Sequence, residues 1–230
     1  MSNRFKSRYD DDINLFEGRW HLAQYAILMA LLLAAPWLLG TYYLGELTAV
    51  LVWSLAGLGL MLISGHTGQV SLGHAAFMAI GAFTNLALML RGWHFLPALL
   101  ASAVTSGVIG AIISRPILRM SGIYLAIATL ALSIIIEDVA IMAEPITGGV
   151  AGVFAPPIAM FGMEIDRYAT PEAFYYLCLA VLVLVTLGYL NLLRSASGRS
   201  FLAVRDSEVS ARALGVNVAR AKTLSFSLSC

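Results

Sequence analysis

The chain has 230 residues, of which 12% are charged and 60% hydrophobic, against roughly 25% and 45–50% in ordinary soluble domains. Net charge is +1, so no overall field points to nucleic acid or to acidic substrates. A soluble globular enzyme is excluded by how the charges lie. Leu22–Gly45, Leu47–Leu90, Gly92–Ser114, Met120–Ile136 and Ala173–Leu193 hold none, and these runs cover 129 residues. About 20 apolar residues cross a bilayer as a helix, and the absence of two-residue alternation excludes an outer-membrane barrel.

Residues 1–21 form a polar tail, and the apolar run after it is too long for the core of a signal peptide, so it is expected to be retained. Leu22–Gly45 then suffices for one crossing, and the 44-residue run after Glu46 for two, divided at Ser64–Gly73 where glycines alternate with polar residues. The runs predict six membrane helices near 22–44, 47–63, 75–90, 92–114, 120–143 and 173–193. With the N-terminus in the cytosol, Arg4, Lys6, Arg8, Arg19, Arg115, Arg119, Arg194, Arg199, Arg205, Arg212, Arg220 and Lys222 fall on the cytosolic side. Only Arg91 and Arg167 fall opposite. That asymmetry follows the positive-inside rule.

Gly65-His66-Thr67-Gly68-Gln69-Val70-Ser71-Leu72-Gly73-His74 joins two helices that are each slightly short. Non-helical backbone at membrane depth must be buried in protein or line a wet cavity, and transporters present main-chain groups to substrate in this way. A tight uncharged turn between two close helices accounts for the same glycines. Glu137 and Asp138 lie near the outer end of the fifth helix; an intramembrane acid marks a pathway or, near the interface, simply stays hydrated. Residues 144–172 form an external loop with four of the seven prolines, Pro145, Pro156, Pro157 and Pro171, either functional or a plain connector.

Residues 194–222 form a cytosolic segment. Asp206 is placed to cap a helix over 207–214, with Glu208 in its first turn, Arg212 in its last and Gly215 as the stop. Such a helix lies on the membrane surface or docks a soluble partner. Asn217 caps the next helix, whose apolar continuation 223–230 is too short to cross and reads as the start of a seventh, truncated helix or a tail packed on the bundle. No Gly-rich loop ends in Gly-Lys-Ser/Thr, and no nucleophile elbow or two-histidine zinc motif is present. The four histidines lack acidic or thiol partners nearby, and Cys178 and Cys230 have no metal spacing. The reading is a non-enzymatic chain with no metal and no cofactor of its own.

Together with Ser121–Ala131, Thr147-Gly148-Gly149, Gly198–Asp206 and Ala211–Asn217, the 65–75 segment resembles the permease subunits of ATP-binding-cassette importers for branched-chain amino acids, of the LivM type. The likeness runs from about Leu47 onward. It implies an all-α polytopic bundle with alternating access driven by two cytosolic ATPase subunits, a sister permease and a periplasmic binding protein, in a bacterial inner membrane. It implies that Glu208–Gly215 is the coupling helix, with Arg205, Asp206, Glu208, Ala211, Arg212 and Gly215 at the ATPase contact. It also implies that Gly65, Gly68, Gln69, Ser71, Gly73, His74, Tyr124, Thr129 and Glu137 lie along the translocation path. The pattern departs at Ile134 and Glu137, so urea or a short amide stands as an alternative cargo. An ion-coupled carrier using Glu137 stands as the alternative mechanism.

Overall fold

The computed structural model describes residues 19–117, 122–160 and 163–230. The expected tail with Arg4, Lys6 and Arg8, and the stretch holding Arg119, Met120 and Ser121, lie outside the described residues. In chain order the helices are α1 (Arg19–Leu38), α2 (Thr41–Leu60), α3 (His74–Leu90), α4 (Phe95–Ile117), α5 (Ile123–Met142), short α6 (Glu144–Thr147), α7 (Pro171–Arg194), α8 (Ala196–Asp206), α9 (Glu208–Ala213) and α10 (Val218–Ser229). α2 continues into a six-residue π-helical turn, Met61–His66. Between α6 and α7 an antiparallel pair, β1 (Ile158–Met160) and β2 (Met163–Ile165), sets Ile158 opposite Ile165.

Among the described residues four helices are long and apolar enough to cross a membrane: Thr41–His66, Phe95–Pro116, Ile123–Met142 and Pro171–Arg194. Ala23–Leu38 and His74–Leu90 are apolar but shorter. One expected boundary moves. The helices placed at 22–44 and 47–63 divide instead at Leu39–Gly40, because Gly40 takes an extended conformation (φ −68°, ψ 161°) that ends α1 and starts α2. Glu46 therefore sits within α2 rather than between helices. The last helix starts at Val218, as the expected Asn217 cap implies: Asn217 Oδ1 accepts from Arg220 N–H at 3.0 Å.

α1 packs on α2 and α7 through Ala35, Leu44, Leu51, Tyr175 and Leu179. Its seating depends on Pro36, which stands inside α1 without an N–H to give the carbonyl four residues back. That carbonyl belongs to Leu32, and the Tyr175 hydroxyl donates to it at 2.8 Å. Tyr176 donates to the next carbonyl, of Leu33, at 3.0 Å. A missing helical bond is thus replaced from α7.

The second group is α3, α4 and α5, with α3 lying against both of the others. α10 is wedged between this group and α2. Phe226 at its centre is fully buried against Ile63 and Phe77, edge-on to Phe77 with ring centroids 5.4 Å apart. Small residues admit it: a Cβ on Gly59 would come within 2.6 Å of the Ser229 carbonyl, and one on Gly110 within 2.6 Å of Cys230 Sγ. Ser227 Oγ donates to the Gly107 carbonyl at 2.7 Å. This close approach of small residues is how helices associate where lipid removes the hydrophobic drive between them.

Replacing Tyr175 by Phe leaves the Leu32 carbonyl without its donor and should cost about 1–2 kcal/mol of stability. In a Pro36→Ala background the restored helical N–H should erase most of that cost, as read from thermal unfolding midpoints of the detergent-solubilised protein. An equal loss in both backgrounds would show that the hydroxyl does not compensate for the proline.

Candidate functional site

Helical geometry fails at the end of α2. The π turn adds a residue to the hydrogen-bond ring, the chain runs without regular structure from Thr67 to Gly73, and helix resumes at His74. Burial alternates along this stretch in an inverted sense. Thr67, Gln69 and Ser71 are buried, whereas Val70 and Leu72 face outward. Polar residues inside and apolar ones outside is the reverse of a soluble surface loop and suits a segment surrounded by apolar material.

Partners for the freed backbone come from three directions. Gln69 N–H donates back to the Ile63 carbonyl at 3.0 Å, and Thr67 Oγ1 donates to the Leu62 carbonyl at 3.2 Å. Leu72 N–H donates to Thr129 Oγ1 on α5 at 3.0 Å, while that hydroxyl donates to the Ala126 carbonyl at 2.9 Å. Gly73 lies so close to α5 that a side chain there would collide with the Thr129 carbonyl. Thr129, itself fully buried, therefore ties the two sequence motifs together.

α10 supplies the remaining partners. Gln69 Nε2 donates to Ser225 Oγ at 3.0 Å, and Gln69 Oε1 is buried with no hydrogen-bond partner. His74 Nε2 lies 3.1 Å from the Ser229 carbonyl and 3.0 Å from Ser229 Oγ. Because a carbonyl can only accept, Nε2 carries the proton; in the neutral ring Nδ1 then accepts from Ser71 Oγ at 3.2 Å. The His74 ring also sits edge-on to Phe77 and Phe226.

Of the other residues named from sequence, Gly65 offers its carbonyl to Arg205 Nη1 at 2.9 Å. Gly68, at φ +70°, packs against the Arg205 methylenes. Tyr124 is 71% exposed. Glu137 is exposed but lines a groove of about 460 Å³ between α3 and α5, with Ala79, Phe83, Ser133 and Val150 among its walls. The loop closing that groove is fastened by Thr147, whose hydroxyl donates to the Ala140 carbonyl at 2.6 Å. Sequence reasoning passed over Ser225, Ser229 and Lys222; the polar positions recurring within the apolar tail were the one signal available.

Beyond the interrupted segment α8, α9 and α10 form a layer of their own, closed by Leu62, Phe201, Val204, Ala211, Val218 and Ala221. Leu62 belongs to the π turn, so this small core includes the start of the irregular backbone. The expected cap of α9 is corrected. Asp206 is the last residue of α8, and Ser207 caps α9 by accepting from Ser210 N–H at 3.2 Å. Burying Phe201 and Val204 carries α8 on through Asp206, which moves the break one residue along.

α9 ends in a Schellman motif: Val216 N–H donates to the Ala211 carbonyl at 3.0 Å and Gly215 N–H to the Arg212 carbonyl at 3.1 Å. Gly215 holds φ +84°, which favours glycine. α9 buries Ala211 but leaves Val209 80% and Leu214 82% exposed, with Arg212 also outward. Glu208 forms an ion pair with Lys222, whose side chain is only 10% exposed. The Arg205–Asp206 pair at 3.4 Å is largely exposed and adds little.

Thr129→Val keeps the shape of the side chain but removes the acceptor for Leu72 N–H, and Thr129→Ser keeps the acceptor. The first should speed hydrogen exchange of the 67–73 amides by roughly ten- to hundredfold, as an unpaired buried donor costs about 1–3 kcal/mol, and the second should not. Equal exchange in the two variants would remove Thr129 from this role.

The chain matches the family described as "Branched-chain amino acid transport system / permease component" over residues 42–230. It is 32% identical to the "High-affinity branched-chain amino acid transport system permease protein LivM" of Salmonella typhimurium, over 90% of this chain and 54% of that protein. It is 31% identical to the protein of the same name from Escherichia coli, over 88% and 53%. The chain thus spans about half the length of these curated relatives. No solved structure matches it.

Proposed function

We propose a transport function for this chain, which belongs to the family of permease components of branched-chain amino acid transport systems. In this reading it is a multi-pass subunit of a bacterial inner membrane that moves branched-chain or other hydrophobic amino acids and does no chemistry itself. Its N-terminus and the α8–α9 layer face the cytosol, in keeping with the twelve basic residues counted there. A sister permease and lipid cover the apolar faces of α4 and α5. A periplasmic binding protein delivers the cargo to the side of the 144–172 loop. Two ATPase subunits dock at α9 and hydrolyse ATP, and the bundle alternates access between discrete packings.

The observation that carries this reading is the pairing of an outward apolar helix with an interrupted one. Val209 and Leu214 project at α9 with no cover among the described residues, a face that a soluble partner would bury. The same helix packs by Ala211 into the core that holds Leu62 of the π turn, and Arg205 bridges from α8 to the Gly65 carbonyl. A push on α9 has a short physical path to the non-helical 67–73 stretch. On the far side the Glu137 groove, of about 460 Å³, has room for a small amino acid and one carboxylate to meet an ammonium group.

Gly215→Trp should leave membrane insertion intact and abolish ATP-driven leucine uptake in proteoliposomes holding the assembled complex, because the positive φ and the turn after α9 are both lost. Arg212→Ala should lower uptake per ATP hydrolysed. Normal ATP-driven uptake by Gly215→Trp would remove the coupling role of α9. If Glu137 instead couples an ion gradient, uptake should proceed with no ATPase present and fall in Glu137→Gln; urea in place of leucine tests the alternative cargo in the same vesicles.

A further inference from the structure

We infer that Lys222, Ser225 and Ser229 form a polar ladder on one face of α10 that lets the position of α9 set the conformation of the 67–73 segment. Spacings of three and four residues place the three on the same side of a helix, and each is engaged by a different part of the chain. Lys222 pairs with Glu208 on α9. Ser225 accepts from Gln69 in the interrupted segment and donates to the Lys222 carbonyl at 3.0 Å. Ser229 meets His74, where α3 begins. From Lys222 to Ser229, about 10 Å of helix, the ladder thus joins α9 to Gln69 within the irregular backbone and to His74 where helix resumes.

Two further features make the ladder a linkage rather than a set of separate contacts. Beside the ladder Phe226 is locked between Ile63 and Phe77, and across the helix Ser227 is tied to α4, so α10 moves with its neighbours or not at all. The first rung is also electrostatically one-sided: Lys222 is buried, whereas Glu208 is 44% exposed. Drawing α9 outward removes the counter-charge and leaves a buried cation uncompensated, which favours a shift of α10 toward water. The partnerless Gln69 Oε1 leaves the present packing incompletely satisfied, so a shifted packing that gives it a donor competes with this one.

The role rests on the transport reading above, but the linkage can be measured without transport. Hydrogen exchange is followed by mass spectrometry on the full-length protein in detergent. In Glu208→Gln, Lys222→Met and Ser225→Ala, exchange across 65–73 should rise at least about tenfold, and in Glu208→Lys/Lys222→Glu it should return to within about threefold of the parent. A rise confined to 207–224 in the Glu208→Gln protein overturns the proposal. Should Lys222→Met fail to fold, Ser225→Ala decides alone, since it removes a single hydroxyl; unchanged exchange at 65–73 overturns the ladder. In vesicles holding the assembled complex, Lys222→Met and Ser225→Ala should retain ATP hydrolysis while leucine moved per ATP falls roughly tenfold. A parent complex that moves no leucine, with the exchange pattern as expected, overturns the transport reading and leaves the ladder standing.

Discussion

Backbone that leaves the helix inside an apolar bundle must find every hydrogen-bond partner within the protein, because lipid offers none. From Thr67 to Gly73 that requirement falls on donors and acceptors widely separated in sequence. Thr129 answers for Leu72, Ile63 for Gln69, and α10 for the side chains of Gln69 and His74. The arrangement of α5 and α10 around the end of α2 is in this sense a solution to one accounting problem. Thr129 has to be at the surface of α5 that meets Gly73, and Gly73 has to lack a side chain for α5 to come that near.

The same demand explains why α10 is polar on one side although it lies within the bundle. A wholly apolar helix would fill the wedge between α2 and α4 equally well, and Phe226 shows how. It would leave Gln69 Nε2 and the His74 ring unpaired at a cost of about 1–3 kcal/mol each. Ser225 and Ser229 meet those groups with hydroxyls that are themselves bonded one turn back, to Lys222 and Phe226. The buried polar groups therefore form short chains that end on helix carbonyls, and Gln69 Oε1 is the loose end.

Much of this was legible from sequence, and what was not has identifiable causes. Charge-free runs located the apolar helices, since a charge inside a span is costly. They misplaced the first boundary because a run of neutral residues records polarity and carries no trace of Gly40's dihedral angles. Asp206 and Ser207 are both good capping residues standing side by side; the choice fell to how far Phe201 and Val204 draw α8 into its core, a tertiary matter. The Asn217 cap and the Gly215 stop were readable because both are local. The polar partners on α10 were not, since Gln69 and Ser225 are 156 positions apart and no local period encodes such a pairing. Tyr124 and Thr129 share one motif, yet one is outward and the other fully buried, and only the packing of α5 separates them.

The proline in α1 also bears on the order in which the chain is made. Leu32 and Tyr175 are 143 residues apart, an interval that takes a ribosome roughly 7 to 30 s to cover at about 5–20 residues per second. Through that time α1 has emerged with one carbonyl that no residue of its own helix can reach. Until α7 arrives, the carbonyl must be met by water or by the insertion machinery, which makes the first helix a late guest in the bundle despite its place at the front of the sequence. Its final docking waits on a tyrosine synthesised 143 residues later.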